Sequence, residues 1–247
     1  PDHQIELGMQ NIAKAMAVAG REGMYDLQIF CYRILAHCYF TNGWIPQLET
    51  CLIDILKLLE QTHEEDMEIY QSLFGMALEA GLYDRANEYH SVLISSLPNE
   101  MEASAACLKL GFHYFELKVF NHAAIWMARA LPFIRQSDAN IGYELSYMIA
   151  SIYASLEFPD FRQAIEYFHR ALENTNDEQR QMRCYMGLAQ VYINTDESRT
   201  PEWLRRAKVI AFKSDTEETL ETLIQCGAMY SHLKDYDSAI RCINAVL

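Results

Sequence analysis

One pattern of residues recurs about every 38 positions along the chain, and it constrains the fold more than any other feature. Each copy has an apolar residue before Gly or Ala, a Tyr, another aromatic residue, an Ala, a large apolar residue and a closing Ala-Leu or Val-Leu pair. The clearest copies are Leu110-Gly111, Tyr114, Phe120, Ala123, Met127, Ala130-Leu131; Ile149-Ala150, Tyr153, Phe161, Ala164, Phe168, Ala171-Leu172; and Cys226-Gly227, Tyr230, Tyr236, Ala239, Ile243, Val246-Leu247. Self-similarity at this period indicates stacked helical hairpins.

Each copy predicts two amphipathic helices, which we call helix A and helix B. In the clearest copy Leu110 and Tyr114 share one face of helix A, because they are four positions apart. Gly111 is expected where helix A crosses helix B, since a large side chain there would force the helix axes apart. A turn is expected around Lys118, and Pro132 is expected to end helix B because its ring cannot continue a helix.

Aligning the copies gives six predicted repeats, at about 28–62, 66–98, 103–135, 142–175, 181–214 and 219–247. Residues 1–27 are predicted to form an N-terminal capping helix or the end of a preceding repeat. The buried side of this helix is expected to carry Ile5, Ile12, Ala13, Met16 and Ala17. The fifth repeat departs from the pattern through a polar loop at 196–200, after which Pro201 is expected to open a helix at its first turn.

Composition restricts the classes of partner. The net charge of −14 repels phosphate backbones, so nucleic-acid binding by this segment is disfavoured. Seven cysteines are scattered without a Cys-x-x-Cys pair, which favours buried free thiols in a reducing cytoplasm over disulfides or zinc sites. No stretch approaches 18 consecutive apolar residues, so membrane insertion is not expected.

No motif predicts catalysis, a cofactor or a metal. The glycines are dispersed rather than gathered in a phosphate-binding loop, and neither Gly-x-Ser-x-Gly nor His-Glu-x-x-His occurs. The acidic pairs Glu64-Glu65 and Glu217-Glu218 are each expected to open a helix, where they favour the positive end of its dipole. His113 and His122 fall in different helices, and no two histidines are four positions apart. The sequence therefore predicts a protein that is not an enzyme.

The recurring pattern resembles the tetratricopeptide repeat over residues ~28–247, with a period longer than the usual 34 residues of that family. The resemblance implies an all-α, right-handed superhelical solenoid of about six antiparallel helix-turn-helix repeats plus an N-terminal helix. It also implies that a protein or peptide binds on the concave surface, which is lined by helix A of each repeat. Long repeats of this kind occur in regulatory and sensor proteins.

The resemblance assigns the binding surface to fixed positions of helix A. The candidate residues are Phe30, Arg33, His37, Phe40, Gln71, Lys109, Phe112, Phe115, Tyr147, Arg183, Met186, Gln190 and Asn194. Two interpretations stay open: an apolar peptide groove with a few hydrogen-bonding side chains, or side chains that bury against one another in a narrow superhelix. The carboxylate clamp of chaperone-binding members is mostly absent, since Arg33, His37, Ser72, Ala105 and Lys109 stand at its positions.

These observations favour a non-catalytic recognition module that forms the sensory or regulatory part of a larger cytoplasmic signalling or transcription-regulating protein. One alternative is a constitutive scaffold subunit of a multiprotein complex, and a remote one is a repeat-based response-regulator phosphatase. The chain stops inside helix B of the sixth repeat without a polar capping helix. We therefore expect either a fragment of a longer protein or a homodimer formed through the C-terminal helix.

Overall fold

The computed structural model describes residues 2–62, 66–213 and 216–247. These residues form thirteen α-helices, one short 3-10 helix at Glu197–Arg199 and no β-strand, which confirms the predicted all-α class. The helices are α1 Asp2–Glu22, α2 Tyr25–Thr41, α3 Ile45–Thr62, α4 Met67–Glu79, α5 Tyr83–Ser95, α6 Glu100–Glu116, α7 Phe120–Ser137, α8 Ala139–Ser155, α9 Phe161–Glu173, α10 Glu178–Thr195, α11 Thr200–Ala211, α12 Glu217–His232 and α13 Tyr236–Asn244.

The helices divide between two compact units, Pro1–Pro98 and Asn99–Leu247. The first unit contains α1 and the hairpins α2/α3 and α4/α5. The second contains the hairpins α6/α7, α8/α9, α10/α11 and α12/α13, and in both units the two helices of a hairpin pack on each other. Helices α2, α6, α8, α10 and α12 begin two or three residues before the predicted repeat starts at 28, 103, 142, 181 and 219. The repeat boundaries stay predictions.

The turn inside a hairpin has the same geometry in four of these hairpins. Between α6 and α7 the N–H of Val119 donates to the carbonyl of Tyr114 at 2.9 Å, and the N–H of Lys118 donates to the carbonyl of Phe115 at 3.0 Å. These two bonds define a Schellman motif, which requires a left-handed residue after the helix. That residue has a φ of 62° to 75° in each case: Gly43, Gly81, Lys118 and Lys234. The turn predicted around Lys118 is therefore confirmed.

Glycine at Lys118 or Lys234 should stabilise the protein. A residue with a Cβ atom pays about 1 kcal/mol in the left-handed region, and glycine pays almost none. We expect Lys118→Gly and Lys234→Gly each to raise the free energy of unfolding by about 1 kcal/mol, measured by urea denaturation. Lys109→Gly is the control, because it lies inside α6 and should lower that free energy by about 1 kcal/mol. A loss at all three lysines would contradict the turn geometry.

Helix α1 covers the core of the first unit with part of the predicted side. Met9, Ile12 and Met16 pack against the buried residues of α2 to α5. Ala13 and Ala17, which were expected to be buried, are exposed. Met9, Ile12 and Met16 follow one another at spacings of three and four residues, and their long side chains reach the core. Ala13 and Ala17 have short side chains that bury little area.

The prediction that Pro132 ends its helix is wrong, because α7 continues through Pro132 to Ser137. The flanking Leu131 and Ile134 are buried, so packing holds the last turns although Pro132 donates no backbone hydrogen bond. Pro201 does lie in the first turn of α11, as predicted. The polar loop before it contains a 3-10 helix, in which Asp196 accepts a hydrogen bond from the N–H of Ser198 at 3.2 Å.

Candidate functional site

The candidate residues of the first unit lie on α2 and α4. Phe30 is more than half exposed, and Ile34 is also exposed four positions later on the same face of α2. His37 and Gln71 are exposed as well. Arg33 is partly buried, and Phe40 packs against the core of this unit. On this face of α2, Phe30 and Ile34 are therefore apolar side chains that a partner could contact.

In the second unit, an apolar pocket of about 230 Å³ lies between α6 and α8. Phe112, one of the candidate residues, is 42% exposed at this pocket, and Ile141 faces it from α8 with 47% exposure. Both exposures are high for large apolar side chains, so a partner that covers them gains hydrophobic free energy. The pocket is lined by Leu108, Phe112, Asn140, Ile141, Glu144, Leu145 and Met148.

The two polar side chains of this pocket are already engaged. Arg180 of α10 donates from Nη1 to Oδ1 of Asn140 at 2.8 Å, and its Nη2 lies 3.3 Å from Oε1 of Glu144. The same guanidinium stacks 4.8 Å above the ring of Tyr143. Because Arg180 balances the charge of Glu144, the pocket favours an uncharged apolar side chain over a charged one.

Asp138 fixes the start of the helix that carries Ile141, and neither Asn140 nor Ile141 was among the residues predicted from the sequence. The Asp138 carboxylate accepts hydrogen bonds from the N–H groups of Asn140 at 2.8 Å and Ile141 at 3.3 Å, so α8 starts at Ala139. The predicted repeat began at residue 142, which excluded the first turn of the helix. An Asp immediately before an apolar helical run is an N-cap signal, and it would have identified this turn.

Arg183, predicted to bind a ligand, is bonded to the neighbouring repeat. Its Nε donates to Oε1 of Glu218 at 2.5 Å and its Nη2 donates to Oε2 at 3.1 Å. This bidentate bond to Glu218 raises the pKa of Arg183. A second exposed pair joins Lys213 to Glu178. Arg183 therefore links α10 to α12, and its donors to Glu218 are not open to a ligand.

Tyr147 and Met186 lie inside the helix packing rather than on an open groove. The ring of Tyr147 stacks on Tyr143 with centroids 6.0 Å apart and meets Phe168 edge-on at 5.7 Å. Burial raises the pKa of Tyr147. Met186 is buried, with its Sδ 3.5 Å from Sγ of Cys226. The structure differs from the prediction at Met186, because α12 packs over this position.

The remaining candidates of the second unit are exposed but do not line the pocket. Phe115 meets Phe120 edge-on, with ring centroids 5.5 Å apart at the end of the α6/α7 hairpin. Lys109 is exposed on α6. Asn194 donates from Nδ2 to the carbonyl of Gln190 at 2.8 Å, so these two residues are bonded to each other. Of all the predicted residues, Phe112 is the one that the structure brings to the pocket.

The cysteines are free thiols, and all except the half-buried Cys38 are buried, as the sequence predicts. Burial raises the pKa of Cys51, Cys184 and Cys226 to about 12, so these thiols stay protonated at neutral pH and are poor nucleophiles. Glu217-Glu218 opens α12 as expected, whereas Glu64-Glu65 lies outside the described residues.

Within residues 2–62, 66–213 and 216–247, no group of three His, Cys, Asp or Glu side chains is arranged to hold a metal ion. No helix in these ranges is both long enough and apolar enough to cross a bilayer.

The fold is similar to that of known helical proteins, although no family model and no curated protein matches the sequence. BtubC (BKLC) from P. vanneervenii is 17% identical, with a TM-score of 0.50 over 95% of this chain and 89% of that chain. The apo form of RapI is 19% identical, with a TM-score of 0.50 over 72% and 68%. MamA is 20% identical, with a TM-score of 0.46 over 73% and 90%. The helical hairpins, their recurring turn and the first two likenesses show that this chain has the fold of tetratricopeptide-repeat proteins.

Proposed function

We propose that the chain is a non-catalytic protein- or peptide-recognition module, and that the pocket between α6 and α8 accepts an apolar side chain of its partner. The observation that carries this proposal is the pair of exposed residues Phe112 and Ile141 at an apolar pocket of about 230 Å³. A pocket of that size fits one large side chain rather than a cofactor, since ligand pockets usually span about 300–1,000 Å³.

The partner that best fits is a peptide segment with a Leu, Ile, Met or Phe anchor. A charged anchor is disfavoured, because Arg180 already balances Glu144 and the other lining side chains, Asn140 aside, are apolar. The acidic chain, with its net charge of −14, also disfavours nucleic acid as the partner. An amphipathic peptide helix that places an apolar side chain in a hydrophobic groove is one of the recurring modes of peptide recognition.

Selection from a phage-displayed library of random dodecamers tests the proposal. We expect the selected peptides to be enriched in large aliphatic or aromatic residues. Phe112→Glu should weaken their binding at least tenfold in calorimetric titration, because covering such a side chain is worth about 1.5–3 kcal/mol. Phe112 lies on the surface, so this variant should fold.

Ile125→Glu is the matched control. Ile125 is exposed to nearly the same extent as Phe112 but lies on α7, away from the pocket. Peptide affinity in this variant should stay within about twofold of the parent. Equal losses in the two variants, or no loss in Phe112→Glu, would show that the selected peptides bind elsewhere.

We further propose that this module is the sensory or regulatory part of a larger cytoplasmic signalling or transcription-regulating protein. Its support is the long repeat period, which resembles that of regulatory arrays. A ligand that binds only the native state stabilises it by RT ln(1 + L/Kd), where L is the free ligand concentration, and therefore raises the melting temperature. A selected peptide should therefore raise the melting temperature of the chain. An unchanged melting temperature in the presence of saturating peptide would count against a ligand-responsive module.

A further inference from the structure

The rim of the pocket between α6 and α8 is held by a residue of the next hairpin. Arg180 lies in the first turn of α10 and is not one of the lining residues. Its Nη1 donates to Oδ1 of Asn140 at 2.8 Å, and its Nη2 lies 3.3 Å from Oε1 of Glu144. Asn140 and Glu144 are the two polar side chains that line the pocket. One arginine outside the pocket therefore contacts both of them.

Contacts on the far side of Arg180 fix its position. Its guanidinium lies 4.8 Å above the ring of Tyr143, which is fully buried. The Tyr143 hydroxyl donates to the backbone carbonyl of Arg180 at 3.3 Å, and the backbone N–H of Arg180 donates to the Asp177 carboxylate at 2.9 Å. The Arg180 side chain is 28% exposed. Because the guanidinium is already held in place, little conformational freedom is lost when a partner binds beside it.

The bond from Arg180 decides which way the amide of Asn140 faces. A guanidinium can only donate hydrogen bonds, so it bonds to the amide oxygen, and the two N–H groups on Nδ2 face away from it. Asn140 is exposed, and among the residues that the structure describes no acceptor is bonded to Nδ2. Asn140 therefore offers hydrogen-bond donors at the rim, and a backbone carbonyl of a bound segment is the acceptor that suits them.

We propose that Arg180 sets the specificity of this pocket as a positioning residue, an inference that rests on the proposed function of the same site. Arg180 balances the charge of Glu144, and it leaves the Asn140 donors free for the partner. The ligand class that follows is an uncharged segment in which an apolar anchor stands next to a backbone carbonyl. Without Arg180, the Glu144 carboxylate loses its counter-charge, and the pocket then favours a Lys or Arg anchor.

Selection of phage-displayed dodecamers on charge variants of the whole 247-residue chain tests the role of Arg180. We expect Arg180→Gln to select peptides with a Lys or Arg anchor. The affinity of a leucine-anchored peptide relative to its lysine-anchored counterpart should fall about threefold or more, since Glu144 is 55% exposed and water screens its charge. Arg180→Gln/Glu144→Gln carries neither charge and should regain the parent's ratio. A merely structural role would lower both affinities alike and leave their ratio unchanged.

Arg183→Gln is the matched control. Arg183 lies on the same helix and is also paired with a glutamate, but its partner is Glu218 of α12 rather than the pocket rim. The affinity ratio in this variant should stay within about twofold of the parent's. If the parent selects apolar anchors and Arg180→Gln keeps the parent's ratio, the specificity role of Arg180 is wrong and the proposed function stands. If the parent selects no apolar anchor, both are wrong.

Asn140→Asp tests the donor role. Aspartate keeps an acceptor for Arg180 and suits the first turn of α8, so the melting temperature should not fall. It has no N–H to donate, so the affinity for the parent's peptides should drop about fivefold or more. An unchanged affinity would contradict the donor role of Asn140.

An ester scan of the selected peptide locates the acceptor, because an ester carbonyl accepts hydrogen bonds more weakly than an amide carbonyl. One ester near the anchor should weaken binding to the parent about threefold or more, and should weaken binding to Asn140→Asp less, since the two groups are then no longer bonded. Equal losses in the two proteins at every ester position would show that Asn140 does not bond to the peptide backbone.

Discussion

Replacing Gly187 with Ala is expected to lower the free energy of unfolding of the second unit by about 2 kcal/mol. A Cβ atom built on Gly187 would lie 2.3 Å from Cζ and 2.4 Å from Cε1 of Phe168. The Phe168 ring is almost completely buried and also contacts Tyr147, so it has no space to move aside. Either the ring leaves its rotamer or α9 and α10 separate, and both cost packing energy. Urea denaturation followed by circular dichroism measures the loss.

Gly75→Ala is the matched control for this experiment. Gly75 also lies inside a helix, α4, but no atom lies within 4 Å of a Cβ built there. Alanine has the higher helix propensity, so this change should raise the free energy of unfolding by up to about 1 kcal/mol. Opposite signs at the two glycines would separate the steric effect from helix propensity. A stabilising effect at Gly187 would mean that α9 and α10 are not in close contact.

A double variant locates the cause. Phe168→Leu removes the atoms that a Cβ at Gly187 would meet, so Gly187→Ala should cost less in that background than in the parent. We expect a coupling energy of about 1 kcal/mol or more in the double-mutant cycle, because the two residues are in direct contact. Additive effects would place the strain at another neighbour.

Close approaches within a hairpin could be predicted from the sequence, and those between repeats could not. At Gly111 a built Cβ would lie 2.8 Å from Cγ of Met127, and at Gly227 it would lie 3.0 Å from Cδ1 of Ile243. Both contacts join helix A to helix B of the same hairpin, where the repeating pattern requires a small residue. Gly187 instead approaches Phe168 of the preceding repeat. A periodic pattern fixes positions within a unit but says little about the contact between units.

The candidate site was predicted only in part for a related reason. Family positions of helix A include Phe112, which lies at the pocket, but they do not show which side chains are already bonded. Arg183 was assigned to a ligand although Glu218, 35 residues later, takes two of its donors. Ile141 was missed because the capping role of Asp138 moves the start of α8. Both errors concern long side chains or helix ends, where individual contacts decide the outcome and the apolar pattern carries no information.

Trp203 is the position where truncation should cost the second unit most. It lies in the centre of an aromatic cluster, with the ring centroids of Tyr185 at 5.9 Å, Tyr192 at 6.2 Å and His169 at 5.5 Å. The guanidinium of Arg206 lies 4.8 Å from its centroid. The indole thus joins α9, α10 and α11, and it is buried in the irregular fifth repeat. We expect Trp203→Ala to lower the free energy of unfolding by about 3–5 kcal/mol.

Trp203→Phe should cost much less, about 1 kcal/mol, because a phenyl ring retains the stacking and removes a polar group. In the described part of the chain the buried Nε1 of Trp203 has no hydrogen-bond partner, so losing this N–H leaves no acceptor unpaired. Trp44→Ala is the control in the first unit, since Trp44 is partly exposed and contacts Tyr39 at 6.0 Å. Its loss should stay near 1 kcal/mol. If Trp203→Ala cost no more than Trp44→Ala, the cluster would not be what holds the fifth repeat.

The size of this effect follows from the place of Trp203 in the array. Trp126 of α7 and Tyr167 of α9 each have an arginine three positions later, stacked at 4.3 Å and 4.9 Å, just as Trp203 has Arg206. Helix α11 therefore keeps the aromatic position of α7 and α9, although the segment before it, which begins at Asp196, is irregular. The 3-10 helix before α11 contains no buried residue, whereas the indole contacts Tyr185 and Tyr192 of α10. Removing it should loosen this hairpin first, so hydrogen exchange in Trp203→Ala should rise most within α11 and least in α6.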